Sequence, residues 1–190
     1  MSKRDIKLTN AEVKLFYRLY FDLLSFANLK YGSVPSIKVI DPVKGISPAD
    51  AQKIKAPLWA NPKTVDEYLS RKDLTMPAEE RAIIEGWGKR FIDGKFFIMK
   101  QLTNYAVFMY SSREKKGLYA VAGLYTHIDQ MFPKEALPHM ANATLLPFLG
   151  RIISDGAYSS YNITFGSGMR RNLMDEYREI KEKHGITTSL

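Results

Sequence analysis

No cysteine occurs in the 190-residue sequence. That absence removes disulfides, thiolate nucleophiles and zinc–thiolate centres together, so a disulfide-stapled scaffold and a zinc finger are both excluded. Long apolar runs are missing as well, since no stretch reaches the ~18 consecutive apolar residues needed to cross a bilayer. Histidine is scarce: His127, His139 and His184 are the only three. His127, Asp129 and His139 surround one predicted loop and offer at most a two-histidine, one-carboxylate set, but no two histidines stand at helical ligand spacing, and no metal is assigned to them. Catalytic patterns are absent too. Gly166-Ser167-Gly168 has the wrong register for G-x-S-x-G, and neither the lysine spacing of a P-loop nor G-x-G-x-x-G appears. Glu79-Glu80 and Asp175-Glu176 lie among basic neighbours, the pattern of solvated helix faces. No catalytic residue and no cofactor is assigned.

What is present is apolar and mildly basic. The 45% hydrophobic and 12% aromatic content suffices for one well-buried core and is short for two independent ones. A single domain over 1–190 is therefore expected, with a helical part over 1–94 and a sheet plus terminal helix over 95–190. The formal charge is +8. Residues 1–94 carry 16 basic and 12 acidic side chains and residues 95–190 carry 12 and 8, so each part has a net +4. An excess spread so evenly reads as a solvated surface, whereas nucleic-acid affinity rests on clustered Lys and Arg. Nucleic acid is thus a partner to weigh but not the favoured one. The charged stretch Met1–Lys7 has no apolar signal core after it, and a cytoplasmic protein without a membrane partner is expected.

Thr9-Asn10-Ala11-Glu12 has the form of a capping box, in which the threonine hydroxyl takes an orphan backbone N–H and the glutamate reaches back. A helix is predicted from there to about Lys30. Lys14, Arg18, Asp22 and Ser25 make one narrow polar stripe on it, and apolar residues cover the rest. Such a helix is buried between layers of its own chain or against a second copy, which makes it the candidate homo-oligomer contact. Gly32 ends it. Ser47-Pro48 and Asn61-Pro62 each set a capping residue before a proline at the first helical position, predicting helices near 48–56 and 62–71 with a break at Pro57. Another helix follows Met76-Pro77, with Glu79 and Glu80 at its positive end. Gly86 and Gly88, each costing ~1 kcal/mol inside a helix, point to close approach of another element.

At Asp93-Gly94 the texture changes. The runs 95–102, 105–110 and 118–125 are aromatic and β-branched, of strand length, and separated by turn residues. They predict an antiparallel meander. Residues 126–141 read as a loop, and 143–153 and 158–165 as two further strands joined through Asp155-Gly156. The last helix opens at Ser167 or Gly168 and runs to about His184, with Gly185 after it and Met169, Leu173, Tyr177 and Ile180 in one stripe. The fold class is α+β: a mostly helical amino-terminal half, an antiparallel sheet of about five strands, and a C-terminal helix packed on the sheet.

One junction carries candidate chemistry. A strand ending in Phe165-Gly166-Ser167-Gly168 and feeding a helix presents unpaired backbone N–H groups at the positive end of the helix dipole, an arrangement that attracts phosphate or carboxylate. Arg170 and Arg171 add forked donors, and Arg151 lies on the strand pair before it. The candidate anion site is therefore Gly166, Ser167, Gly168, Arg170, Arg171 and Arg151. A competing surface combines the basic hairpin Arg113-Glu114-Lys115-Lys116 and Arg151, Arg170 and Arg171 with Tyr105, Tyr110, Tyr119 and Tyr125, an aromatic positive sheet face of the kind that stacks single-stranded bases.

The segments Leu145-Leu146-Pro147-Phe148, Gly150-Arg151-Ile152-Ile153, Asp155-Gly156, Tyr161-Asn162-Ile163, Phe165-Gly166, Gly168 and Arg170-Arg171 resemble parts of uncharacterised hypothetical proteins of prokaryotes. The resemblance covers about the last quarter of the chain and brings no established activity and no catalytic residue. The favoured function is a cytoplasmic, non-catalytic binding or interaction protein with a small anionic ligand at the strand-to-helix junction. The alternatives are an enzyme acting on a phosphorylated or nucleotide substrate, or a nucleic-acid-binding protein.

Overall fold

A computed structural model of the chain describes residues 8–112, 116–124, 132, 134–161 and 163–190. The chain divides into two compact units, one of Thr9–Phe91 with Pro147–Leu149, the other of Met1–Leu8, Ile92–Leu146 and Gly150–Leu190.

The first unit is helical: α1 (Asn10–Tyr31), α2 (Pro48–Ala60), α3 (Lys63–Leu69) and α4 (Ala78–Arg90). The capping box forms as predicted, with the Thr9 hydroxyl accepting from the Glu12 N–H at 3.2 Å and the Glu12 carboxylate accepting from the Thr9 N–H at 2.7 Å. Gly32, at φ 63, closes the helix in the left-handed conformation that glycine adopts without strain. Phe16, Leu19, Leu23 and Leu24 are buried within the single chain, each contributing ~1.5–3 kcal/mol. Ser25, placed in the polar stripe by its spacing, is buried: its hydroxyl donates to the Phe21 carbonyl and accepts from the Ile40 N–H. Asn28 holds the Val34 and Ile37 carbonyls and the Val34 N–H. These two side chains latch the connection after α1 onto the helix.

The predicted break at Pro57 does not occur, because α2 runs through it to Ala60. Proline removes one helical hydrogen bond, and the burial of Ile54, Leu58 and Trp59 on either side outweighs that loss. In α4, a Cβ on Gly88 would meet Val65 of α3 at 3.1 Å, the close approach its composition implied. Trp87 is fully buried and its indole N–H donates to the Pro147 carbonyl at 2.9 Å.

The second unit is a barrel of β1 (Ile92–Gln101), β2 (Ala106–Ser111), β3 (Lys116–Ala122), β4 (His139–Phe148), β5 (Arg151–Ser154) and β6 (Ser159–Ser160), followed by α5 (Ser167–His184). The meander β1–β2–β3 is antiparallel as predicted, and β4 returns beside β1, also antiparallel. That order is a Greek key. The expectation of an antiparallel sheet is corrected at the next step: β5 lies parallel to β3, with Val121 opposite Ile152, and also neighbours β4. The ring β1-β2-β3-β5-β4-β1 is thereby closed, a mixed barrel that leaves no edge among its strands. The parallel pair was hidden because 143–153 is not one strand. Leu149 and Gly150 turn back with φ 49 and 76, and leucine rarely marks such a turn. The segment 158–165 yields only the two-residue β6 beside β4.

Alternation sorts the barrel side chains. Phe96, Ile98, Phe108, Tyr119, Val121 and Leu145 fill the interior, while Met99, Val107, Met109 and Leu118 lie outside under Leu173, Tyr177 and Ile180 of α5. The terminal helix thus packs on the sheet, though Met169 of its apolar stripe stays 53% exposed. A bulge in β1 between Ile98 and Lys100 adds one outward residue. Met99 and Lys100 therefore both face α5, where the Lys100 ammonium lies 4.9 Å from the Tyr177 ring centroid. Gln101 returns to the interior beside Ala106 and donates to the Phe132 carbonyl. Among the described residues no helix is long and apolar enough to cross a membrane.

Candidate functional site

The junction that opens α5 is built from an extended approach and an abrupt helix start. Gly166 sits at φ −66 and ψ 166 and no side chain caps the first turn. Arg170 N–H closes the first intrahelical bond to the Gly166 carbonyl at 3.0 Å, and the N–H groups before it have no such partner within the helix. Gly166, Ser167 and Gly168 are exposed. A Cβ on Gly166 or Gly168 would find no other atom within 4 Å, so the corner is open.

The two arginines part company. Arg170 is half-buried and its guanidinium reaches backwards, Nε to the Phe165 carbonyl and Nη1 to the Leu137 carbonyl, both at 2.9 Å. A planar fork bonded to two carbonyls ties the segment before the helix to the residues before β4. Arg171 is exposed. Arg151 opens β5, half-buried, away in sequence and in a different element. Nothing in the sequence signals the partnership of Arg170 with Leu137.

The tyrosines of the competing surface do not form an exposed face. Tyr110 and Tyr119 belong to the barrel interior and Tyr105 packs with the residues under α5. Tyr125 and Arg113–Lys115 lie outside the described residues, as do His127 and Asp129. Five-stranded Greek-key barrels of the OB type bind oligonucleotides over their second and third strands. Here the outer side of those strands is covered by Leu173 and Tyr177. His139 pairs with Ile98 and faces the barrel interior, its ring 4.8 Å from that of Phe132. Burial pushes its pKa below the usual histidine value. Among the described residues no three His, Asp or Glu side chains approach as a metal-ligating group.

A second polar cluster, on the helical unit, escaped the sequence reading. Arg18, Asp22 and Phe26 follow one another at one-turn spacing on α1. Tyr68 of α3 meets Phe26 edge-on, ring centroids 5.5 Å apart, and the Arg71 guanidinium lies 5.6 Å and 5.8 Å from those two rings. Arg18 pairs with Glu80 of α4 at 2.5 Å, and Arg71 pairs with Asp73. Loss of hydration raises the Asp22 pKa, outweighing the lowering by Arg18 and Arg71, and Glu80 raises it further. The one-turn spacing was legible; that α3 and α4 bring an aromatic hydroxyl and a carboxylate to it was not.

No family model, curated protein or solved structure matches the chain. Function is therefore read from its own geometry.

Proposed function

We propose that this chain is a non-catalytic binding protein that takes a small anion, a phosphate or a carboxylate, at the first turn of α5. The observation that supports the reading is the uncapped, unobstructed helix start at Gly166–Gly168. Helix amides without partners and a dipole worth about half a positive charge favour an anion there. Arg171, exposed on the same turn, supplies a full charge. Arg170 contributes differently from its neighbour, holding the approach to the helix in place through the Phe165 and Leu137 carbonyls. A site of a few amides and one exposed arginine is weak, with a Kd of about a millimolar or somewhat below, corresponding to ~4–5 kcal/mol. A cysteine-free chain suits the reducing cytoplasm in which we place it.

Thermal melting tests the proposal. Inorganic phosphate at millimolar concentration raises Tm above that in sodium chloride of equal ionic strength, and Arg171→Ala reduces the increment. No response to phosphate, nucleotides or sugar phosphates overturns anion binding, and turnover of any of them overturns the non-catalytic reading.

A further inference from the structure

We propose that the edge of β3 facing away from β2 is a docking site for an extended peptide of another protein, held closed in this structure by residues 186–190 of the same chain. The site lies at the opposite end of α5 from Gly166–Gly168 and does not depend on the anion reading. β5 covers only part of that edge, since it pairs with Val121 and Ala122 alone. The stretch before it is taken by Thr187, which lies parallel to Tyr119. The Thr187 N–H donates to the Leu118 carbonyl at 2.8 Å and its carbonyl accepts from the Ala120 N–H at 2.9 Å. Two side chains anchor the segment, Ile186 against the residues under α5 and Leu190 against those of the barrel interior.

The seated segment defines what the edge accepts. Backbone pairing asks only for an extended chain, and the anchors ask for an aliphatic side chain just before the paired residue and another three positions after it. Thr187, Thr188 and Ser189 between them are exposed, so the intervening side chains are small, polar and unselected. The segment is also built to lift. One isolated bridge holds it, in the parallel sense that is the weaker per residue, and a segment with so few buried contacts opens at the low end of local unfolding free energies. Its hinge is Gly185, at φ 72 and ψ −159, where an added Cβ would meet nothing within 4 Å. Rotation there swings 186–190 away while α5 keeps its packing on the sheet. Lifting frees the Ala120 N–H and the Leu118 carbonyl, an unpaired strand edge of the kind that pairs with another chain.

The probe is an N-acetylated, C-amidated peptide of sequence Gly-Ile-Thr-Thr-Ser-Leu, titrated into the isotope-labelled full chain, with a scrambled peptide as control. The Ala120 and Thr187 amides shift saturably with the first and not with the second. Competition from the chain's own segment lowers the apparent affinity by the fraction of time the edge is open. Thr187→Pro removes the donor to Leu118 and so raises peptide affinity about tenfold. Hydrogen exchange reads the opening without any variant: the Ala120 amide exchanges at least about tenfold faster than those bonded between β2 and β3. Ala120 protection equal to that of the β2–β3 ladder overturns the proposal, as does a peptide that leaves Ala120 unmoved in both the unaltered chain and Thr187→Pro. The same shifts brought on by raising the concentration of the chain alone also overturn it, assigning the edge to a second copy.

Discussion

The starts of α1 and α5 have nearly the same backbone and opposite chemistry. Thr9 and Gly166 are both extended, at φ −76 and ψ 159 against φ −66 and ψ 166. At α1 the threonine hydroxyl and the Glu12 carboxylate take two of the free donors, the Glu12 and Thr9 N–H groups. At α5 no side chain does. Helix starts left uncapped lose stability that a single serine or aspartate would restore, so the difference separates an end built to hold the fold from one whose amides remain available.

Four substitutions break or sharpen that contrast. The largest effect is on the segment that leads into α5: Arg170→Ala removes the donors of the Phe165 and Leu137 carbonyls and costs ~2 kcal/mol in urea unfolding. Arg170→Lys recovers little, since an ammonium cannot span both acceptors as the fork does. Thr9→Ala dismantles the α1 cap and costs ~1 kcal/mol in the same measurement. Gly166→Asp gives α5 the cap it lacks; with no atom near its Cβ, it stabilises by a few tenths of a kcal/mol. The same aspartate abolishes the phosphate increment in Tm, because its carboxylate takes the donors the ligand would use.

Local signals were legible in the sequence and long-range partnerships were not. Thr9, Glu12 and Gly32 mark both ends of α1 because capping acts within a turn or two of chain. The β1–β3 meander follows from composition and turn residues for the same reason. The barrel closure rests on β5 joining β3 in parallel, a pairing that depends on a turn at Leu149 that the residue type does not announce. Pro57 misled because a local rule met tertiary burial of Leu58 and Trp59. Of the candidate anion site, the open glycine turn was readable, whereas the commitment of Arg170 to Leu137, 33 residues away, required the fold.

The most direct test is a titration of the isotope-labelled chain with inorganic phosphate at constant ionic strength, reading backbone amide shifts residue by residue. The account predicts saturable shifts centred on Ser167, Gly168 and Met169, with the Thr9–Glu12 amides unmoved. Amides at 167–169 that stay put, or that move no more than those of the capped helix, would contradict it.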